Sequence, residues 1–104
     1  MSDNNFLIKK THPCLEGHFP GNPIVPGVVI LDEITSLVRL ENRDSKIIGF
    51  SNVKFLKPIS AEQLIEIAFN TKKENKESIF SLKFTAYYMN NAVAQGIIKL
   101  EKRE

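Results

Sequence analysis

Between Glu16 and Gly27 the chain reads EGHFPGNPIVPG, a run that holds three of its five prolines and three of its five glycines. Proline fixes its own φ, lacks an amide hydrogen and pushes the residue before it toward extended backbone. From Pro13 to Pro26 regular helix is therefore forbidden and a central strand disfavoured, which leaves an ordered, stiff, mostly extended loop. One imidazole, His18, stands in its middle. Rigid backbone around a single titratable ring is a positioning device, because a displacement of about 1 Å at a reacting group can cost about 10²-fold in rate. The prolines also reduce the freedom that the loop surrenders on folding.

The rest of the chain frames that loop. Its 104 residues, 42% of them apolar, read as one globular domain, residues 1–104. A domain this short buries a modest share of its surface, so self-association would help it. Fourteen basic and twelve acidic residues leave a net charge of +2. That is not the basic surplus of a nucleic-acid binder, although a mildly basic surface favours an acidic partner. A single cysteine, Cys14, excludes an internal disulfide and fits a reducing compartment. The polar start MSDNN carries no apolar export segment, and the longest apolar run, Val28 to Leu31, is too short for a bilayer. A soluble cytoplasmic protein with no membrane insertion is the expectation.

After Pro26-Gly27 the pattern changes. Residues 28–43, VVILDEITSLVRLENR, repeat apolar groups at helical spacing and carry more at 29, 30 and 37. This predicts a helix apolar nearly all round and hence buried, with Arg39 and Arg43 suited to its carboxyl end. A brief strand over 6–9 precedes the loop, and strand-like stretches follow the helix at 46–57, 64–71, 78–88 and 92–101. In the third of these, Phe80, Leu82, Phe84 and Ala86 share one face. The charged stretch 72–77 and the pair Asn90-Asn91 read as hairpin turns. One buried helix followed by antiparallel strands predicts an α+β fold, a curved sheet wrapped round the helix.

The motif itself, H-F-P-G-x-P-I-x-P-G followed by V-x-x-x-D, resembles the signature of the 3-hydroxyacyl-[acyl-carrier-protein] dehydratases of the FabA/FabZ type, which have the hot-dog fold. Val53-Lys54-Phe55 with Lys57-Pro58-Ile59, and Ala92-Val93-Ala94-Gln95-Gly96, are similar to later strands of that family, so the likeness runs from about Phe6 onward. The resemblance implies a catalytic base at His18 and an acid partner fourteen positions on, at Asp32 rather than Glu33. It implies that the Gly27 amide holds the thioester carbonyl, and that Val28, Phe19, Ile24 and Pro26 contact substrate. It implies a homodimer with the histidine of one chain facing the acid of the other, an acidic acyl carrier protein as partner, and no cofactor. Lys54, Lys57, Arg39 and Arg43 are candidates for docking that carrier.

The residue types suit the implied chemistry. Dehydrating a 3-hydroxyacyl thioester removes an α-proton and expels hydroxide, which leaves well only if protonated. A neutral imidazole with pKa near 6.5 serves as the base. A desolvated carboxyl has a raised pKa and donates the proton, and the apolar run VVIL-D-EI around Asp32 predicts that desolvation. Asp32 and Glu33 differ by about 100° around a helix, so only one faces the site, and Glu33 is expected on the wet side. A helix start presents unpaired amides to developing charge, and Gly27 has no side chain to obstruct them.

Blander and rival readings stand beside this one. Alone, His18 would be a structural loop histidine and Asp32 a solvated helix carboxylate. The set His12, Cys14 and His18, H-x-C-x₃-H, matches no standard zinc spacing and predicts no metal. Phe80, Phe84, Tyr87 and Tyr88 suit core or interface. A non-catalytic acyl-carrier-binding hot-dog subunit and a hot-dog acyl thioesterase are the alternatives in function. The chain is short at its amino end beside typical relatives, which leaves acyl length open, and a specialised lipid route such as aryl polyene assembly is compatible with it.

Overall fold

The computed structural model describes residues 4–15, 24–73 and 78–103. His18 and Phe19 lie outside the described residues. In chain order the elements are β1 (Asn5–Leu7), a single 3₁₀ turn (Pro13–Leu15), α1 (Gly27–Glu41), β2 (Ser45–Phe55), β3 (Leu64–Lys73), β4 (Ile79–Tyr88) and β5 (Asn91–Lys102). The five strands form one sheet in the order β1-β3-β4-β5-β2, every pair antiparallel. The sheet curls round α1, which is the α+β, hot-dog arrangement that the resemblance implied.

Alternation places the core. Leu82, Phe84 and Ala86 of β4, with Ala94, Ile98 and Leu100 of β5 and Ile65 and Ile67 of β3, turn inward and are buried. Facing them, α1 contributes a narrow stripe of Ile30, Ile34 and Val38, four residues apart. The helix is not buried all round as its apolar content predicted. Val28 and Leu40 are 67% and 62% exposed, and Asp32 and Ser36 lie on the same outward strip. A helix with one sheet beneath it buries one stripe; the opposite side, about 200° away, faces out whatever its residues.

Boundaries moved by a residue or two. The helix ends at Glu41, because Asn42 turns both its backbone N–H and its side-chain Nδ2 (2.8 Å) onto the Val38 carbonyl. The first strand is 5–7 rather than 6–9, and β3 runs on through Lys73, leaving residues 74–77 of the expected hairpin outside the described residues. In the β4–β5 turn Tyr88 pairs with Asn91, so the central residues are Met89 and Asn90, both at positive φ (49° and 68°), one step before the expected pair.

Gly96 shows why one strand needs a bare Cα. It pairs with Phe84, and a Cβ there would stand 2.6 Å from Cε2 of that ring and 3.1 Å from a Val53 methyl. The ring is wholly buried and has nowhere to go. Gly96→Ala is expected to cost about 1–3 kcal/mol through overpacking, read as a lower urea midpoint with an unchanged slope. An unchanged midpoint would contradict the packing described.

Candidate functional site

Three loops meet at the start of α1. Val25 donates its N–H to the Ile59 carbonyl (2.8 Å), and Ile24 bridges Ser60. Ser60 N–H is held by Gln63 Oε1 (2.9 Å), Glu62 N–H by the Ile8 carbonyl (2.8 Å), and Lys10 N–H by Glu62 Oε2 (2.6 Å). Glu62 sits at φ 65° to make that turn. The helix start is thus tied to the β2–β3 connection and to the segment after β1.

Pro26 caps the helix at φ −61° and ψ 144° with no side-chain hydrogen bond, since its ring has none to offer. Its carbonyl accepts from Val29 (3.0 Å) and Ile30 (3.3 Å). Among the described residues nothing accepts from the amides of Gly27 and Val28, the first two of the helix. Two unpaired donors at the positive end of the helix dipole suit an oxygen that gains negative charge.

Beside them lies a groove of about 370 Å³. Ile24, Gly27, Ile30, Phe55 and Pro58 line it with apolar surface, and Lys57 is the one charged residue among the described lining. The Phe55 ring lies over Gly27 so closely that a Cβ at 27 would stand 2.8 Å from its Cε2. The missing side chain of Gly27 therefore serves an approach within the chain, by an aromatic ring.

The anticipated site residues divide accordingly. Gly27 and Ile24 line the groove, Pro26 caps the helix beside it, and His18 and Phe19 fall outside the described residues. Val28 and Asp32, one turn apart, point away from the core on the outward strip. The desolvation expected of Asp32 is not provided within the chain: Asp32 is exposed and Glu33 is half-buried, the reverse of the expected order. Asp32 stands about 200° from both Ile30 and Ile34, whereas Glu33 flanks the buried stripe at about 100° from Ile34. Ser36 Oγ donates to the Asp32 backbone carbonyl (3.1 Å), leaving the carboxylate to other partners.

The four cations anticipated for docking do not form one patch. Lys57 is at the groove, and Lys54 lines a cleft on the sheet with Asn52, Lys83 and Gln95. Arg39 and Arg43 border a cleft with Lys46 and Arg103 at the far end of the helix, about 20 Å from Gly27. Sequence reading overlooked Phe55, which it took only as part of a strand. The available signal was a large aromatic in KFLKP, three residues before the proline that ends the run.

Comparison with known proteins bears on this site. The model of the ApeI-like family, described as ApeI dehydratase, matches residues 3–97. The 3-hydroxyacyl-[acyl-carrier-protein] dehydratase FabZ of Nitratiruptor sp. is 30% identical over 103 residues, covering 86% of this chain and 69% of that protein. The chain spans about half the length of several other FabZ dehydratases that it matches, 52% for the one from Mannheimia succiniciproducens. Among solved structures, the dehydratase heterocomplex ApeI:P from Xenorhabdus doucetiae superposes with a TM-score of 0.69 at 21% identity, covering 94% of this chain and 84% of that one. A hexameric thioesterase from Yersinia pestis superposes at 0.77 with 8% identity, covering 96% and 84%. At those identities the superpositions speak for the fold alone, while the family model, which spans nearly the whole chain, speaks for descent. This chain belongs to the ApeI-like dehydratase family and is kin to the FabZ 3-hydroxyacyl-[acyl-carrier-protein] dehydratases.

Proposed function

We propose that the chain is a hydro-lyase that eliminates water from a 3-hydroxyacyl thioester carried on acyl carrier protein, giving the trans-2-enoyl thioester. The observation that carries this reading is the helix start. Two amides without a partner among the described residues, at Gly27 and Val28, stand beside an apolar groove, with the Asp32 carboxylate little more than one turn further along. In the proposed reaction His18 takes a proton from C2 and charge moves onto the thioester oxygen, which the Gly27 amide holds. The C3–O bond then breaks as Asp32 delivers a proton to the departing hydroxyl, C2=C3 forms, and water leaves. His18 returns its proton through solvent to Asp32. The elimination is redox-neutral, so the scheme calls for no cofactor. An aligned amide donor of this kind is worth roughly 3 kcal/mol to the transition state.

Asp32 needs cover before it can act as an acid, and we assign that cover to a second copy of the chain. The outward strip carries two large exposed aliphatics, Val28 and Leu40, on either side of Asp32, and the edge strand β2 exposes Ile48 and Phe50. Closing a second chain over this surface would desolvate the carboxyl and bring it to the partner's loop. Since the Xenorhabdus relative is a heterocomplex, sizing is to be run both on the chain alone and after co-expression with its genomic neighbours. The carrier is expected to dock at the Lys57 end of the groove rather than at Arg39 and Arg43. Fatty-acid synthesis and a specialised lipid route both supply substrates of this class, and the reaction belongs to the cytoplasm, where acyl carriers are charged.

The test is product identity with a panel of 3-hydroxyacyl-carrier substrates of differing length and aromatic content. Enoyl thioester from the wild type, lost by about 10²-fold or more in Asp32→Asn, supports the reading. Free acid would make the chain a thioesterase, and binding without turnover would make it a non-catalytic subunit.

A further inference from the structure

We infer that Phe55 is a specificity-determining residue, whose ring sets the width of the acyl path beside Gly27. The inference rests on the dehydratase reading for the identity of the occupant, an acyl thioester, and on the groove for its geometry. Phe55 closes β2, and its backbone is fixed: it pairs with Ala94, and the amides of Leu56 (2.8 Å) and Lys57 (3.2 Å) both donate to the Val93 carbonyl. Its side chain is treated differently, being 46% exposed. An aromatic ring that leaves nearly half its surface in water is not there to fill the core. What it touches is the first residue of the helix, at Cβ-excluding distance, and Gly27 gives up its side chain to admit it.

The ring thus roofs the groove next to the amide that would hold the thioester carbonyl. With that carbonyl at Gly27, the carbons that follow it run along the groove wall formed by Phe55, Ile24 and Pro58. About 370 Å³ is near the lower end for small-molecule sites, so the loss of one ring changes its capacity substantially. Phe55 has no titratable group and takes no part in proton transfer. Its effect is on which acyl groups fit, not on the chemistry at C2 and C3.

The experiment compares wild type, Phe55→Leu and Phe55→Ala in two series. The first is kcat/KM for 3-hydroxyacyl-carrier substrates of four to twelve carbons plus a phenyl-bearing one. The second is Kd for the saturated acyl-carrier thioesters of the same lengths, which lack the hydroxyl and cannot react. The expected result is a shift of about tenfold or more in the ratio of long or aryl to short substrates, with the Kd series moving the same way. Size and melting temperature are measured on every variant. A uniform fall across all lengths, or a change in oligomer size with an unchanged profile, would overturn the proposal and make Phe55 structural. If the wild type turns over no 3-hydroxyacyl substrate but the Kd profile still shifts, the dehydratase reading fails and the acyl contact of Phe55 stands. An unshifted Kd profile overturns the contact itself.

Discussion

Replacing His18 with alanine is expected to lower kcat on 3-hydroxyacyl-carrier substrates by about 10²–10⁴-fold, with the melting temperature and oligomer size kept. That range is what a positioned general base contributes to a proton abstraction. The chain has two histidines, and only His18 sits in the proline-rich motif. His12 lies just before the 3₁₀ turn, where its N–H binds the Lys9 carbonyl (2.9 Å) and its carbonyl receives Leu15 (3.0 Å), so it provides a matched control. His12→Gln is expected to stay within a few-fold of wild type. A His18→Ala enzyme within tenfold of wild type would mean that another group takes the C2 proton. Equal losses in both variants would point to a shared effect on folding.

The largest effect on stability is expected at Phe84. Phe84→Ala should cost about 3–5 kcal/mol, a large share of the 5–15 kcal/mol that holds a domain of this size together. The ring is fully buried in the middle of β4, with Phe69 opposite on β3 and Gly96 opposite on β5. It packs directly on the bare Cα of Gly96, so its loss leaves a cavity against a residue with no side chain to move in. Central strands on both sides restrict collapse further. The urea midpoint should fall by about 2 M for a slope of about 2 kcal/mol/M. A loss under about 1 kcal/mol would contradict the description of this layer as close-packed.

How much of this was legible in advance depended on which physical effect dominated locally. Phe80, Leu82, Phe84 and Ala86 alternate because one side of β4 faces the core, so period-two reading found strand, face and core together. The helix was legible as a helix but not in its burial. Counting apolar residues round α1 ignores how many neighbours it has, and Val28 and Leu40 stay exposed because the described residues supply a single sheet. The same omission affected Asp32, for an apolar run along a helix does not desolvate a carboxylate that points outward. The β4–β5 turn slipped by one because Met89 takes a positive φ that its residue type does not advertise. The role of Gly27 was half legible: the need for a bare Cα could be read, but the ring that uses it comes from Phe55, distant in sequence and fixed by the β2–β5 register. His18 and Asp32 were put forward from the motif's resemblance to a family, not from periodicity.

The central proposal is a site made by two chains, the imidazole of one acting with the carboxyl of the other. Mixing inactive His18→Ala with inactive Asp32→Asn under conditions that exchange subunits tests it directly. Random one-to-one pairing makes half the dimers mixed, and each mixed dimer rebuilds one of its two sites, so about a quarter of wild-type activity should return. Activity no greater than the sum of the two separate variants, in a mixture shown to have exchanged subunits, would contradict it.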